Sequence, residues 1–138
     1  MSASSGSSGA LGFVLRSAAP GSSTWEYRVQ REHFNPNGAL HGGVIMALLD
    51  TAMGHAVAAL VAEDGMFNAA AQMNVNFLEP VMSGTLTARA EVRRCGKRLA
   101  IVEATATDDQ GVVLAIATAT HALLKRSPGP SSSEPGHS

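Results

Sequence analysis

The period of apolar and polar side chains changes several times along this chain, and each change marks an element. Leu11 to Arg16 and Ser23 to Gln30 alternate at period two, with Phe13 and Leu15, then Trp25, Tyr27 and Val29, on one face. Ala-Pro-Gly-Ser lies between them as a turn sequence, so the pair predicts a β-hairpin. No period holds from Arg31 to Leu40, where Asn35, Pro36, Asn37 and Gly38 are turn formers; this segment reads as a loop leading into a helix. From His41-Gly42-Gly43 the chain is rich in Ala, Leu, Met, Val and Ile for about five turns, which predicts a helix buried on most of its circumference. Gly65 and its polar neighbours end it.

Beyond the helix, Gln72 to Phe77 alternates strictly, with Met73, Val75 and Phe77 opposite three amides, and predicts a strand ended at Pro80. Thr85 to Arg93 alternates again, and a turn around Cys95-Gly96 leads into Leu99 to Thr107, giving a long hairpin. After Asp108-Asp109-Gln110-Gly111, a second turn sequence, Val112 to Leu124 is apolar on both faces and reads as a central strand covered on both sides. The order is two strands, one long helix and four strands, an α+β chain with no internal repeat. A sheet of about six mostly antiparallel strands covers one helix only by curving round it, and that helix hides only one sheet face. A second copy, related by a two-fold axis that extends one sheet into the next, is the expected cover for what remains.

Length and composition narrow this further. The 138 residues suit one domain, placed at 11–126. Residues 1–10 and 127–138, rich in Ser, Gly and Pro, are expected to be flexible and disordered tails. Ten Lys and Arg against eleven Asp and Glu leave no field of one sign, so neither nucleic acid nor an anionic membrane surface is an expected partner. The lone Cys95 cannot form an intramolecular disulfide, and Met1 to Gly9 lacks a basic segment followed by an apolar one, which points to the cytoplasm. Val44 to Ala62 is apolar enough to raise a membrane helix, but Asp50, Thr51 and His55 interrupt it, and a buried helix of a globular domain accounts for the same pattern.

Two features carry candidate chemistry. Gly42 and Gly43 open the long helix, where backbone N–H groups lack partners and the missing Cβ lets a ligand oxygen approach; tight packing at the start of the helix explains the same glycines equally well. Asp50 sits in Val-Ile-Met-Ala-Leu-Leu-Asp-Thr-Ala-Met, and a carboxylate there is costly to bury uncompensated. Either it has a chemical use, or it is solvated at a crevice or bonded to Thr51 or His55 as a structural network. His33 and His55 read as loop or half-buried residues and His121 as a core position. No two histidines have metal-ligand spacing with a carboxylate, so no metal is assigned.

Asn35, then His41-Gly42-Gly43 six residues later, then Asp50 seven residues after Gly43, form a pattern with context in Gln72 to Pro80, Gly84, Gly96-Lys97-Arg98 and Val102-Glu103-Ala104. This resembles the hotdog-fold acyl-CoA thioesterases, in particular the phenylacetic-acid-degradation (PaaI-like) type, over Gly12 to Leu124. The resemblance implies a hotdog fold, one long helix wrapped by a curved sheet, and hydrolysis of a small aryl- or medium-chain acyl-CoA. It implies that the Gly42 amide binds the thioester carbonyl, that Asp50 is nucleophile or base, and that Asn35 and His41 orient the thioester or the water. Gly43, Gly54 and Asn74 are implied substrate contacts. Arg93, Arg94, Lys97 and Arg98 cluster at a hairpin end, where they meet coenzyme A phosphates or form an ordinary solvated tip. Coenzyme A is part of the substrate, and no other cofactor is implied. The implied assembly is at least a homodimer, with a homotetramer expected. One position departs from the pattern: some relatives have Ser or Thr two residues before Gln72, where this chain has Ala70.

Two other readings belong beside this one. His33-Phe34 with Pro36 and Gly38 resembles the opening of hotdog dehydratases acting on hydroxyacyl thioesters, although the helix here offers Asp where those enzymes place Glu. A non-catalytic acyl-CoA-binding module of the same fold would leave Asp50 unused. Helix geometry adds one expectation about the site: Asp50 follows Gly43 by seven residues, about 10 Å along the axis, too far for both to reach one carbonyl. The site is therefore expected to pair Gly42 of one subunit with Asp50 of its two-fold partner.

Overall fold

The computed structural model describes residues 11–125, and the tails expected at 1–10 and 127–138 lie outside the described residues. Strands β1 (Phe13–Ala19) and β2 (Ser22–Arg28) form the expected hairpin around Pro20 and Gly21, the latter at φ +88°. β1 runs on through Ser17, Ala18 and Ala19 because a bulge after Leu15 restores pairing from Ser17↔Thr24 to Ala19↔Ser22. Helix α1 (Gly42–Val61) continues into a short 3-10 turn at Ala62–Asp64 and stops at Gly65, whose φ of +69° suits a residue without Cβ.

The remaining strands are β3 (Met66–Phe77), β4 (Thr85–Cys95), β5 (Leu99–Thr107) and β6 (Val113–Lys125). They complete a six-stranded sheet of order β1-β2-β4-β5-β6-β3 with every neighbouring pair antiparallel. β3 starts at Met66, well before the expected Gln72. It pairs with β6 from Met66↔Lys125 to Phe77↔Ala115, and an irregularity between Ala70 and Gln72 breaks the alternation that would have marked its first half.

The curved sheet wraps α1 on one side. Ile45, Leu48, Leu49, Ala52, Met53, Ala56, Val57 and Val61 of the helix are buried. They meet a sheet face made largely of small residues, including Ala88, Ala104, Ala106 and Ala117, beside Trp25, Tyr27 and Leu86. Large side chains on the helix against alanines on the strands let the two layers approach closely and fill the space between them.

Two expectations about coverage are corrected. α1 is covered by this chain along one stripe only, leaving Gly43, Met46, Asp50 and Ala58 exposed. β6 likewise buries Leu114, Ala115, Ala117 and Ala119 but exposes Val113, Ile116 and Thr118. A two-layer unit has two outer surfaces, so apolar patterning all round an element cannot be satisfied within one copy. α1 is long and apolar enough to cross a membrane by length and composition, yet it is the core helix around which the sheet is built. Among the described residues β3, a strand of 12 residues, stands at one edge of the sheet.

Candidate active site

The start of α1 is held by a series of contacts reaching back into the core. Tyr27 is fully buried; its hydroxyl accepts the Gln30 N–H at 3.1 Å and shares a hydrogen bond with His33 Nδ1 at 2.6 Å. Burial pushes the Tyr27 hydroxyl above its ordinary pKa of 10.0, which keeps it a donor. The His33 carbonyl accepts the His41 N–H at 2.9 Å, and His41 Nδ1 in turn accepts the Gly43 N–H at 2.9 Å as the helix N-cap. Val44 N–H bonds the His41 carbonyl. Of the opening amides, Gly42 N–H is therefore the one without a partner among the described residues.

Asn35 lines the same crevice as Gly42, a space of about 300 Å³ that also includes Leu40, Ile45, Phe77 and Val81. Its Oδ1 accepts the N–H groups of Asn37 and Ala39, which closes the Asn-Pro-Asn-Gly turn. Its Nδ2 makes no hydrogen bond to another described residue. A Cβ at position 42 would stand 3.3 Å from Phe77 Cζ, so the glycine keeps the amide open between the helix and that ring. Gly43, by contrast, has its amide committed to His41.

Asp50 is exposed, in keeping with the alternative of a carboxylate solvated at a crevice. It lies in a second crevice of about 350 Å³ with Gly54, His55, Asn68, Ala70 and His121. The anticipated network with Thr51 or His55 does not form: His55 Nδ1 bonds the Thr51 carbonyl at 2.9 Å, and its ring packs on Trp25 with centroids 4.8 Å apart. His121 is a core position, 2% exposed. Its Nδ1 lies 2.6 Å from Asn68 Oδ1, and Asn68 Nδ2 donates to the Gly54 carbonyl at 3.4 Å. That amide orientation makes Nδ1 the protonated nitrogen and leaves a lone pair on Nε2, which is buried without a hydrogen-bond partner among the described residues. Burial holds His121 below its ordinary pKa of 6.5, with the nearby Asp50 charge acting in the opposite direction.

The two crevices share no lining residue. Within one chain the structure brings Asn35 and His41 to Gly42, and Gly54 to Asp50, but keeps these groups apart. Asn74 belongs to neither, standing on the outer sheet face with Glu103 and Thr118. The β4–β5 turn lies at the His121 end of the sheet, as the pairs Ala100↔His121 and Leu99↔Ala122 require. Arg94, Lys97 and Arg98 are exposed there, whereas Arg93 is drawn to Glu91 at 3.2 Å and Glu103 at 3.7 Å. Tyr27, Asn68 and His121 are the contributors that motif reading passed over. Tyr27 and His121 lie in patterns that signal core, and Asn68 in a stretch without a period.

Comparisons with known proteins bear on this arrangement. A family model described as "Thioesterase superfamily" matches residues 37–115, a span that includes Gly42, Gly43 and Asp50 and leaves out Asn35 and His121. Human acyl-coenzyme A thioesterase 13 is 35% identical over 96 residues, covering 69% of this chain and 67% of that protein. The solved structure of the Escherichia coli PaaI protein, from the phenylacetic acid degradation operon, has a TM-score of 0.78 at 28% identity, covering 88% of this chain and 84% of that one. A phenylacetic acid degradation-related protein from Ralstonia eutropha JMP134 has a TM-score of 0.76 at 33% identity, covering 83% of this chain and 87% of its own.

Proposed function

The chain belongs to the thioesterase superfamily and has the hotdog fold, and from that premise we propose that it hydrolyses a small aryl- or medium-chain acyl-CoA to the free acid and coenzyme A. The observation that carries this reading is the Gly42 N–H, unpartnered among the described residues, at the start of a 20-residue helix beside Asn35 and an apolar crevice. Such an amide, in the positive field of the helix start, stabilises the oxyanion formed when a thioester carbonyl is attacked. The phenylacetic acid degradation named for two structural neighbours favours an aryl acyl group.

Asp50 supplies the other half of the chemistry. As general base it takes a proton from water while the water oxygen bonds to the carbonyl carbon; the C–S bond then breaks, and the proton passes to the departing thiolate. As nucleophile it forms a mixed anhydride with release of the thiolate, and water cleaves that anhydride in a second step. Both routes end in acid and thiol. Because Gly42 and Asp50 lie in separate crevices of one chain, this reading needs a dimer that brings Gly42 of one copy to Asp50 of the other. The position of β3 at the sheet edge among the described residues and the uncovered stripe of α1 support such an assembly. Two such dimers back to back, working in the cytoplasm, complete the proposal.

The test is release of free thiol from a panel of acyl-CoA thioesters, followed with a thiol reagent. The expected result is turnover of aryl and medium-chain substrates, lost in Asp50→Asn by about 10²-fold or more in kcat. No thiol release from any member of the panel would overturn the reading.

A further inference from the structure

The uncovered stripe of α1 carries groups that one copy leaves unmatched. Gly43, Met46, Asp50 and Ala58 recur along it at helical spacing, and Met46, 41% exposed, is the large apolar side chain of the helix left in the open. The first turn of α1 holds no acidic residue to meet the positive end of the helix. Asp50 in turn forms no ion pair with another described residue. Eight residues, about 12 Å along the axis, separate Gly42 from Asp50, and Met46 is midway, about one turn from each.

We propose that the two-fold axis of the dimer passes beside Met46, so that Met46 packs against Met46 of the partner subunit and the pair forms the wall between the two active sites. This rests on the shared-site reading above, in which Gly42 of one copy meets Asp50 of the other. A two-fold axis that brings Gly42 against Asp50 of the partner subunit also brings Asp50 against the partner's Gly42. The two segments therefore run antiparallel, and their midpoints face each other across the axis. That midpoint is Met46, exposed on the same stripe as Asp50. Each carboxylate then lies in the positive field of the other copy's helix start, so charges left unmet in one copy are complementary in two. At the usual spacing of packed helices, about 8–10 Å, two flexible thioethers fill the gap at the centre. Gly42 has no side chain and leaves room for a thioester at each end.

Cross-linking locates the axis directly. With Cys95→Ser removing the native thiol, Met46→Cys places one thiol per copy beside the axis, within the Cα separation of about 4–7 Å that a disulfide spans. Ala58→Cys in the same background is the control. Position 58 is exposed on the same stripe, but about 18 Å further along, and so about 36 Å from its own copy in an antiparallel pair. Mild oxidation should convert most of the Met46→Cys protein, and little of the Ala58→Cys protein, to a covalent dimer on a non-reducing gel. A folded Met46→Cys protein that cross-links no faster than the Ala58→Cys protein overturns the proposal. If Met46→Cys does not fold, Met46→Glu takes its place, because a side chain exposed in one copy can carry a charge without disturbing the fold. Two carboxylates facing across the axis should weaken dimerisation at least about 10-fold, measured by dilution in native mass spectrometry. A Met46→Glu dimer as tight as wild type overturns the proposal instead. Thiol release by wild type, measured alongside, separates the two readings: release without the cross-link removes only the placement of the axis, whereas the cross-link without release supports that placement and removes thioester hydrolysis.

Discussion

His41 Nδ1 accepts the Gly43 N–H at 2.9 Å, and the amide one residue earlier, Gly42, is thereby left as the free donor at the start of α1. The imidazole both caps the helix and selects which of two adjacent glycine amides remains for a ligand. His41→Ala should cost about 1 kcal/mol of stability, the usual value of an N-cap, and lower kcat as the Gly42 amide loses its fixed direction. His41→Asn, which can cap the same amide, should recover the stability. Thermal midpoints and steady-state kinetics of the pair check this; an alanine variant as stable as wild type contradicts the cap.

Sharing of the site between copies has its own test. Asp50→Asn and Gly42→Pro are each expected to be inactive yet folded. Asp50 is exposed and makes no side-chain hydrogen bond to another described residue, and proline is tolerated at the first helical position, where His41 already has the extended ψ of 132° that precedes proline comfortably. When the two are mixed and reassort freely, about half the dimers are mixed, and each carries one intact and one doubly damaged site. Activity should return to about a quarter of wild type. A mixture shown by native mass spectrometry to contain mixed dimers, yet still inactive, would place both groups in one chain.

The basic turn offers a graded comparison. Arg94, Lys97 and Arg98 make no ion pair with another described residue, while Arg93 lies between Glu91 and Glu103. Replacing the first three with Ala should raise KM for a full acyl-CoA, with kcat nearly level and a weaker dependence on salt. Arg93→Ala should change KM less. If a pantetheine thioester lacking the nucleotide serves wild type as well as the full substrate does, these cations are a solvated tip.

His121 also ties stability to pH. Its folded pKa lies below the ordinary 6.5, so between those two values the unfolded chain binds more protons than the folded one, and stability rises with pH across that window. Lowering the pH from above 6.5 should therefore destabilise wild type, and His121→Gln should lack that component. Thermal midpoints of both proteins from about pH 7.5 to about pH 5.5 check it. Parallel curves would mean that His121 makes no such contribution.

Local patterning was enough to read the order of elements, the turns at Gly21 and Gly65, and the Gly42 to Asp50 spacing along one helix. Each of these depends on neighbours within a few positions, where period and backbone preference act directly. Pairing between distant segments decided the rest. The first half of β3 forms because β6 lies beside it to Met66↔Lys125, and its broken alternation carried no mark of that partner. Which side of α1 stays uncovered was equally hidden, because a one-copy fold covers only one stripe of an apolar helix. Asn68 and His121 are 53 positions apart, and the hydrogen bond that directs the Nε2 lone pair exists only through the register of β3 against β6. A one-residue slip would turn His121 to the opposite face, so the sequence by itself determined a histidine in an apolar strand, and only the tertiary pairing decided that its ring is buried with Nδ1 on Asn68.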